Sequence, residues 1–192
     1  MREEMEEWLA LKTSSGKCST GLLHQLVYHY ENRTLHVHQI LDEIAILEGV
    51  SPKRSLTKPE SELGRPPLRG LWHKHFMQPA YIAKNLVNYW NPEKLEQLER
   101  EVPRDRWIHH FVIEGYSQRA GNAPPSEGLQ PALTGQWIVF AKHQGINYYL
   151  TLGRHAEDEE IWRRCRACAP EFPDLSILQE DRLKPNSSRA GP

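Results

Sequence analysis

The chain alternates between helical and strand-like spacing of its apolar residues, with turn residues between. Residues 3–12 read as a short helix, broken by Thr13-Ser14-Ser15-Gly16. Leu22 to Tyr30 is apolar with His24 and His29 interspersed and is read as a second helix. Asn32-Arg33-Thr34 is a turn, with Thr34 the expected N-cap of a third. Leu35, Ile40, Leu41, Ile44 and Leu47 follow roughly helical spacing, and Gly49 ends that run. Residues 51–67 carry prolines and basic residues with little periodicity, as a linker does. Pro79 suits the first turn of a helix reaching Trp90, with Ile82, Leu86 and Tyr89 on its buried face. Asn91-Pro92 opens the next, with Leu95, Leu98 and Val102 along one face until Pro103.

The spacing then changes to two. Trp107 to Tyr116 alternates like a strand, with Trp107, His109, Phe111 and Ile113 on one side and His110 beside Glu114 on the other. Residues 117–131 form a long loop rich in Gly, Pro and small polar residues. Trp137 to His143 and Ile146 to Leu152 flank Gln144-Gly145 as a β-hairpin. A two-residue turn sets Trp137 opposite Leu152, Val139 opposite Leu150 and Ala141 opposite Tyr148, an apolar face for the core. The other face carries Ile138, Phe140, Lys142, Asn147, Tyr149 and Thr151, and alternation extends it to His155. A last helix has acids at Glu157 to Glu160, arginines later, and Pro173 as its stop. The order predicts an α+β fold: an antiparallel sheet of three or more strands packed by helices, with an N-terminal helical segment. The expected division is residues 1–50 helical segment, 51–67 linker, 68–178 α+β core and 179–192 tail.

Bulk properties narrow the function classes. The chain has 192 residues, 39% hydrophobic and 26% charged, with six Trp, seven Tyr and four Phe, enough for a real core. No apolar run reaches the roughly 18 residues of a membrane span, and the acidic N-terminus lacks a signal peptide's apolar centre. Three cysteines argue against a disulfide framework, so a reducing, cytoplasmic setting is expected. A formal net charge of −1 speaks against wrapping a long duplex but leaves room for a compact phosphate site.

Charge placement points to where such a site would lie. Residues 63–92 and 128–156 contain none of the 25 acids, yet hold Arg65, Arg69, Lys74, Lys84, Lys142 and Arg154 with His73, His75, His143 and His155. In an extended segment His73 and His75 share one face and Lys74 takes the other. Two imidazoles near a cation supply an acid and a base near neutral pH. The bland reading is that Trp72 and Phe76 anchor the segment while the polar residues cover the surface. On the second hairpin face, Lys142, Tyr149, Thr151 and His155 offer donors on a rigid support, although Lys, Thr and Tyr also suit exposed strands. His155 precedes a helix N-terminus beside Arg154, where an anion is favoured, but Glu157 to Glu160 compete for that helix end. His109 reads as a core histidine and His110 as a surface partner of Glu114. Cys165, Cys168, Ile161 and Phe172 share one helical stripe and read as core rather than half a zinc site. His24, His29, His36 and His38 read as the polar side of an amphipathic region.

The function these features predict is phosphodiester cleavage by a small cytoplasmic, ribonuclease-like protein of the toxin kind, acting without metal or cofactor. His73, His75, His155 and Lys142 are the expected catalytic residues. Arg69, Lys74, Tyr149, Thr151 and Arg154 are expected to bind substrate. RNA or another phosphate-bearing ligand is the expected partner, with a protein partner at the N-terminal segment and no membrane. The competing expectation is a non-enzymatic interaction module, antitoxin-like, immunity or phage-associated, that docks an acidic partner.

Overall fold

The computed structural model of the chain describes residues 1–55, 57–78, 90–111, 136–180 and 182. Among these, helices α1 (Arg2–Lys12), α2 (Thr20–Glu31) and α3 (Val37–Leu47) precede most of a five-stranded sheet. Its strands are β1 (Lys17–Cys18), β2 (Ser61–Glu62), β3 (Trp72–Phe76), β4 (Gln136–His143) and β5 (Ile146–Arg154), in spatial order β1-β5-β4-β3-β2. Only the β1–β5 pair is parallel. Helix α4 (Pro92–Glu101) and helix α5 (Asp158–Ala167) follow β3 and β5 respectively. The α+β architecture with an antiparallel core and leading helices is the one the residue pattern predicts.

Both faces of the sheet are buried. Met5 and Leu9 of α1, Leu22 and Leu26 of α2 and Ile40, Leu41 and Ile44 of α3 pack on Phe76, Ile138, Phe140, Tyr149 and Leu152. Trp137, Val139, Ala141, Tyr148 and Leu150 face the other way, against Leu68, Leu71 and the stripe Ile161, Trp162, Cys165 and Cys168. The cysteines of that stripe are core, as their spacing predicts. Gly153 allows α5 to come this close, since a Cβ there would lie 2.5 Å from Ile161 Cδ1.

The hairpin turn is Gln144-Gly145, with φ of 50° and 78°, the paired left-handed geometry of a tight hairpin. Pairing follows expectation from His143↔Ile146 to Phe140↔Tyr149. It then shifts by one residue, so that Val139 pairs with Thr151, Ile138 with Leu152 and Trp137 with Gly153. Leu150 is the extra residue of a β-bulge. The expected pairs Trp137–Leu152 and Val139–Leu150 are therefore corrected. Because side chains alternate with a period of two, one inserted residue exchanges the faces of everything after it. Leu152 joins the α1–α3 side, and His155 moves to the side of Trp137.

The bulge is tied down from α2. Ser19, fully buried, is the N-cap of α2 and accepts a hydrogen bond from Leu22 N. Its hydroxyl donates to Leu150 O at 2.6 Å, and its own N–H donates to Tyr149 O at 2.9 Å. Gln25 Oε1 accepts from Leu152 N and from Thr151 Oγ1, both at 2.9 Å. These bonds satisfy the outer edge of β5 beyond the two residues covered by β1.

Other expectations are revised locally. Residues 107–111 are helical rather than strand. Trp107 and Phe111 are four apart, a spacing that puts them on one side in either conformation. The 3-10 turn Arg104–Arg106 leads directly into the helical residues. His109 is exposed there and His110 half-buried, the reverse of the strand reading. Helix α3 is preceded by His36 rather than Thr34, whose hydroxyl instead contacts His29 Nδ1 at 2.6 Å. Helix α5 ends at Ala167, before Pro173. The segment 51–67 contributes edge strand β2. Of the helix expected from Pro79 to Trp90, residues 79–89 lie outside the described residues and Trp90 is not helical; the strand end 112–116, the loop 117–131 and the tail from 183 also lie outside them. No helix among those described is long and apolar enough to cross a membrane.

A carboxylate locks the α1–α2 connection to the hairpin. Glu48 Oε2 accepts from Ser14 N, Ser15 N and Gly16 N, the last at 2.8 Å. Its Oε1 accepts from Asn147 Nδ2 at 2.8 Å and Tyr149 Oη at 2.7 Å. Burial opposes its ionisation, but these donors outweigh burial and push the carboxyl from its ordinary 4.5 down to about 2. A depressed carboxyl stabilises the fold above its unfolded pKa and loses that contribution as pH falls through the folded one. Melting temperature should therefore drop more steeply between pH 5 and pH 2 in the native protein than in Glu48→Gln; equal slopes would remove Glu48 from the acid response. Ser19→Ala removes a cap and strands a buried carbonyl at the bulge, and should cost about 2–3 kcal/mol in denaturant unfolding; a loss below about 0.5 kcal/mol, the level of an ordinary surface change, would show that Ser19 does not hold the bulge.

Candidate functional site

The site begins with the sequence His73-Lys74-His75 on β3. Pairing sets His73 opposite Val139 and His75 opposite Trp137, so both imidazoles lie on the Trp137 side of the sheet. The bulge brings His155 to the same side, just past the end of β5. Ala156, with φ of 68°, then turns the chain towards α5. The three imidazoles gather around the Trp137 indole. Ring centroids lie 4.8 Å apart for His73–Trp137, 4.2 Å for Trp137–His155 and 6.1 Å for His75–Trp137. His73 and His75 are 5.2 Å apart, and His75 stacks on His155 at 5.8 Å. Trp137 is 6% exposed, His73 and His75 are half-buried, and His155 is exposed, so the cluster grades from an apolar wall to solvent.

The three rings differ electrostatically. His73 Nδ1 lies 3.0 Å from Ser61 O. A carbonyl only accepts, so Nδ1 carries the proton and Nε2 is left with a free lone pair. Burial lowers the His73 pKa, the Ser61 carbonyl opposes, and His155 and Lys74 lower it further. Burial also drives His75 down, to about 3, and the positive potentials of His73, His155, Lys74 and Lys58 act in the same direction. His75 is thus neutral at physiological pH. Its Nδ1 and Trp137 Nε1 are both buried without a hydrogen-bond partner.

The expected cations are elsewhere. Lys74 points to the α3 side, 2% exposed, with its ammonium 3.3 Å from Glu43 Oε2. It donates to Ser55 Oγ at 2.8 Å, Thr57 Oγ1 at 2.6 Å and Lys58 O at 2.6 Å. Burial pulls its pKa down, against the pull of Glu43 and Glu60. Lys142 lies over the Trp72 ring at 4.0 Å and pairs with Glu60 at 3.2 Å, on the face away from the histidines. The bulge turns Arg154 towards α2, where its charge lowers the His29 pKa after burial. Tyr149 is fully buried against Glu48, and Thr151 is committed to Gln25. Arg69 is exposed, and its carbonyl accepts from the Arg182 guanidinium. Of the nine expected site residues, the fold gathers only His73, His75 and His155.

The acid-free stretches acquire carboxylates in three dimensions. Glu43 of α3, Glu48 at its C-cap and Glu60 of the 51–67 segment meet Lys74, Tyr149 and Lys142 respectively. Among the described residues no group of three or more His, Cys, Asp or Glu side chains is arranged to hold a metal ion. Burial raises the thiol pKa of both Cys165 and Cys168, which leaves neither poised as a nucleophile. A groove of about 320 Å³ lies elsewhere, lined by Leu9 and Ala10 of α1 with Thr13, Cys18 and Leu23.

Sequence reasoning passed over Lys58 and Ser61. The positive potential of Lys58 adds, after larger causes, to the lowering of the His75 pKa, and Ser61 orients His73 through a main-chain carbonyl that no side-chain pattern encodes. Compared with family models, curated proteins and solved structures, the chain gives no match.

Lys74 is a structural cation whose removal leaves Glu43 buried and unpaired. Lys74→Met should cost about 3–5 kcal/mol in denaturant unfolding, and adding Glu43→Leu should restore most of it. If the double variant is no better than the single, the pair is not the source of the loss.

Proposed function

We propose that the histidine cluster cleaves RNA by internal attack of a ribose 2′-hydroxyl. The observation that supports this most directly is the meeting of three chemically distinct imidazoles on one sheet face. His73, its ring oriented by Ser61 O, is the base that takes the 2′-hydroxyl proton through Nε2. The 2′-oxygen then bonds to phosphorus, and the bond from phosphorus to the 5′-oxygen breaks. His155, the exposed member, protonates that leaving oxygen. The products are a 2′,3′-cyclic phosphate and a 5′-hydroxyl, so protons and charge balance without water or a co-reactant. His75, held neutral by burial, serves as a hydrogen-bond donor to a non-bridging oxygen rather than as a base. Trp137 supplies the apolar wall that weakens solvent competition.

The alternative, a non-enzymatic module docking an acidic partner, has less support. It rests on an acid-free surface, and in the fold the acid-free stretches meet Glu43, Glu48 and Glu60.

Incubation of the full chain with total RNA and with single-stranded DNA, with and without chelator, tests the reading. RNA should be cut to cyclic-phosphate ends, DNA should survive, and chelator should make no difference. His73→Ala and His155→Ala should each lower the rate by about a hundredfold or more. A base must be unprotonated to act, so a depressed His73 pKa places the acid limb of the pH–rate profile below the ordinary histidine value of 6.5. Intact RNA under every condition would sink the proposal, and cleavage lost on chelation would reassign it to a metal-dependent reaction.

A further inference from the structure

We propose that His155 is an acid-released lid over His75 and Trp137: protons taken up by the histidine cluster drive it off and open this end of the sheet. The basis is the packing of the rings, which is the same whether or not the cluster cleaves RNA.

His155 is the member built to move. It follows Arg154, the last residue of β5, and precedes Ala156, whose φ of 68° is a left-handed backbone that a residue with a Cβ rarely adopts. Glu157 N closes this turn on Arg154 O with a long bond of 3.3 Å. Among the described residues, only rings hold the His155 side chain. It meets Trp137 edge-on at 4.2 Å between centroids and stacks on His75 at 5.8 Å.

The ring beneath it has nowhere to put a charge. His75 is half-buried, and its Nδ1 is buried without a partner. His73 stands 5.2 Å away, so a proton on His75 would face two more imidazoles. Among the described residues no salt bridge or hydrogen bond joins a carboxylate to any of the three. Ser61 offers only a neutral carbonyl, to His73. Glu157 and Glu160 at the start of α5 are engaged, the first with Arg164 and the second with Arg163 and Arg164. Lys74, from the opposite face of β3, and then Lys58 add positive potential. Burial first, and then this neighbouring charge, bring the His75 pKa down to about 3. Swinging His155 outward admits water to His75 and separates the rings, so that His75 regains an ordinary value near 6.5. Below pH 6.5 the open form therefore binds a proton that the closed form refuses. Each further pH unit favours opening about tenfold, until the closed form also binds it near pH 3.

The test is NMR of the full chain between about pH 7.5 and pH 4. It follows the nuclear Overhauser contact between the Trp137 and His155 rings, with that between the hairpin partners Ile138 and Leu152 as a measure of folding. The first should fade below pH 6.5 while the second persists. His75→Gln, which takes up no proton, should lower the pH of half-loss by about one unit or more. His155→Phe keeps a ring on Trp137 without a charge, and its contact should also last to lower pH. His24→Gln, at an exposed position of α2, should leave the half-loss where it is. A half-loss unmoved by His75→Gln overturns the proposal, as does a Trp137–His155 contact that lasts until the Ile138–Leu152 contact is lost. A lid that opens in a chain leaving RNA intact would keep this device and discard cleavage. RNA cleavage by a chain whose lid never opens would do the reverse.

Discussion

The β-bulge at Leu150 is the constraint on which the arrangement of this protein turns. A strand shows alternate faces, and β5 must serve two cores at once. Before the bulge, Tyr148 and Leu150 face the α5 side while Tyr149 faces the N-terminal helices. Uninterrupted alternation would send Leu152 to the α5 side and leave His155 facing the N-terminal helices. The extra residue exchanges these assignments. Leu152 completes the core under α1–α3, Gly153 yields its place to Ile161, Arg154 turns to α2, and His155 reaches Trp137. The bulge persists because its polar groups are answered. Ser19 serves the Leu150 carbonyl while capping α2, so helix initiation and strand irregularity share one hydroxyl. The N-terminal helical segment thereby enters the construction of a site on the far face of the sheet.

The same economy governs charge. Burying an ammonium or a carboxylate is costly unless every donor and acceptor finds a partner. Lys74 meets this condition with Glu43, two hydroxyls and a carbonyl, and Glu48 meets it with three main-chain donors, an amide and a phenol. Each network joins segments far apart in sequence, and each draws its acid from outside the stretches that lack acids. Those stretches are thus acid-free as sequence but not as surface. Among the described residues, no salt bridge or hydrogen bond joins a carboxylate to His73, His75 or His155 on the Trp137 side of the sheet.

How much of this was legible follows from the range of each interaction. The hairpin turn, the break at Thr13-Ser14-Ser15-Gly16, the apolar side of α3 and the cysteine stripe of α5 rest on local spacing, and local spacing predicted them. The opposition of His73 and His75 to Lys74 also follows from strand alternation alone. The bulge does not, since Leu150 and Thr151 are ordinary strand residues and the hydroxyl that holds them open is 131 residues away. Missing it misplaced His155 by one face. Residues 107–111 failed for a different reason, because Trp107 and Phe111 at i and i+4 satisfy both periodicities.

The separation of roles between the two sides of β3 has a chemical logic. On one side, Lys74 is enclosed with an acid and serves architecture. On the other, burial and then neighbouring positive charge lower the pKa of His73 and His75. A histidine cluster that remained protonated would repel itself and attract the glutamates that the rest of the fold has bound elsewhere. Held neutral, the buried pair presents lone pairs and N–H groups instead of net charge. Such a surface distinguishes a ligand by where its protons and oxygens lie more than by total charge.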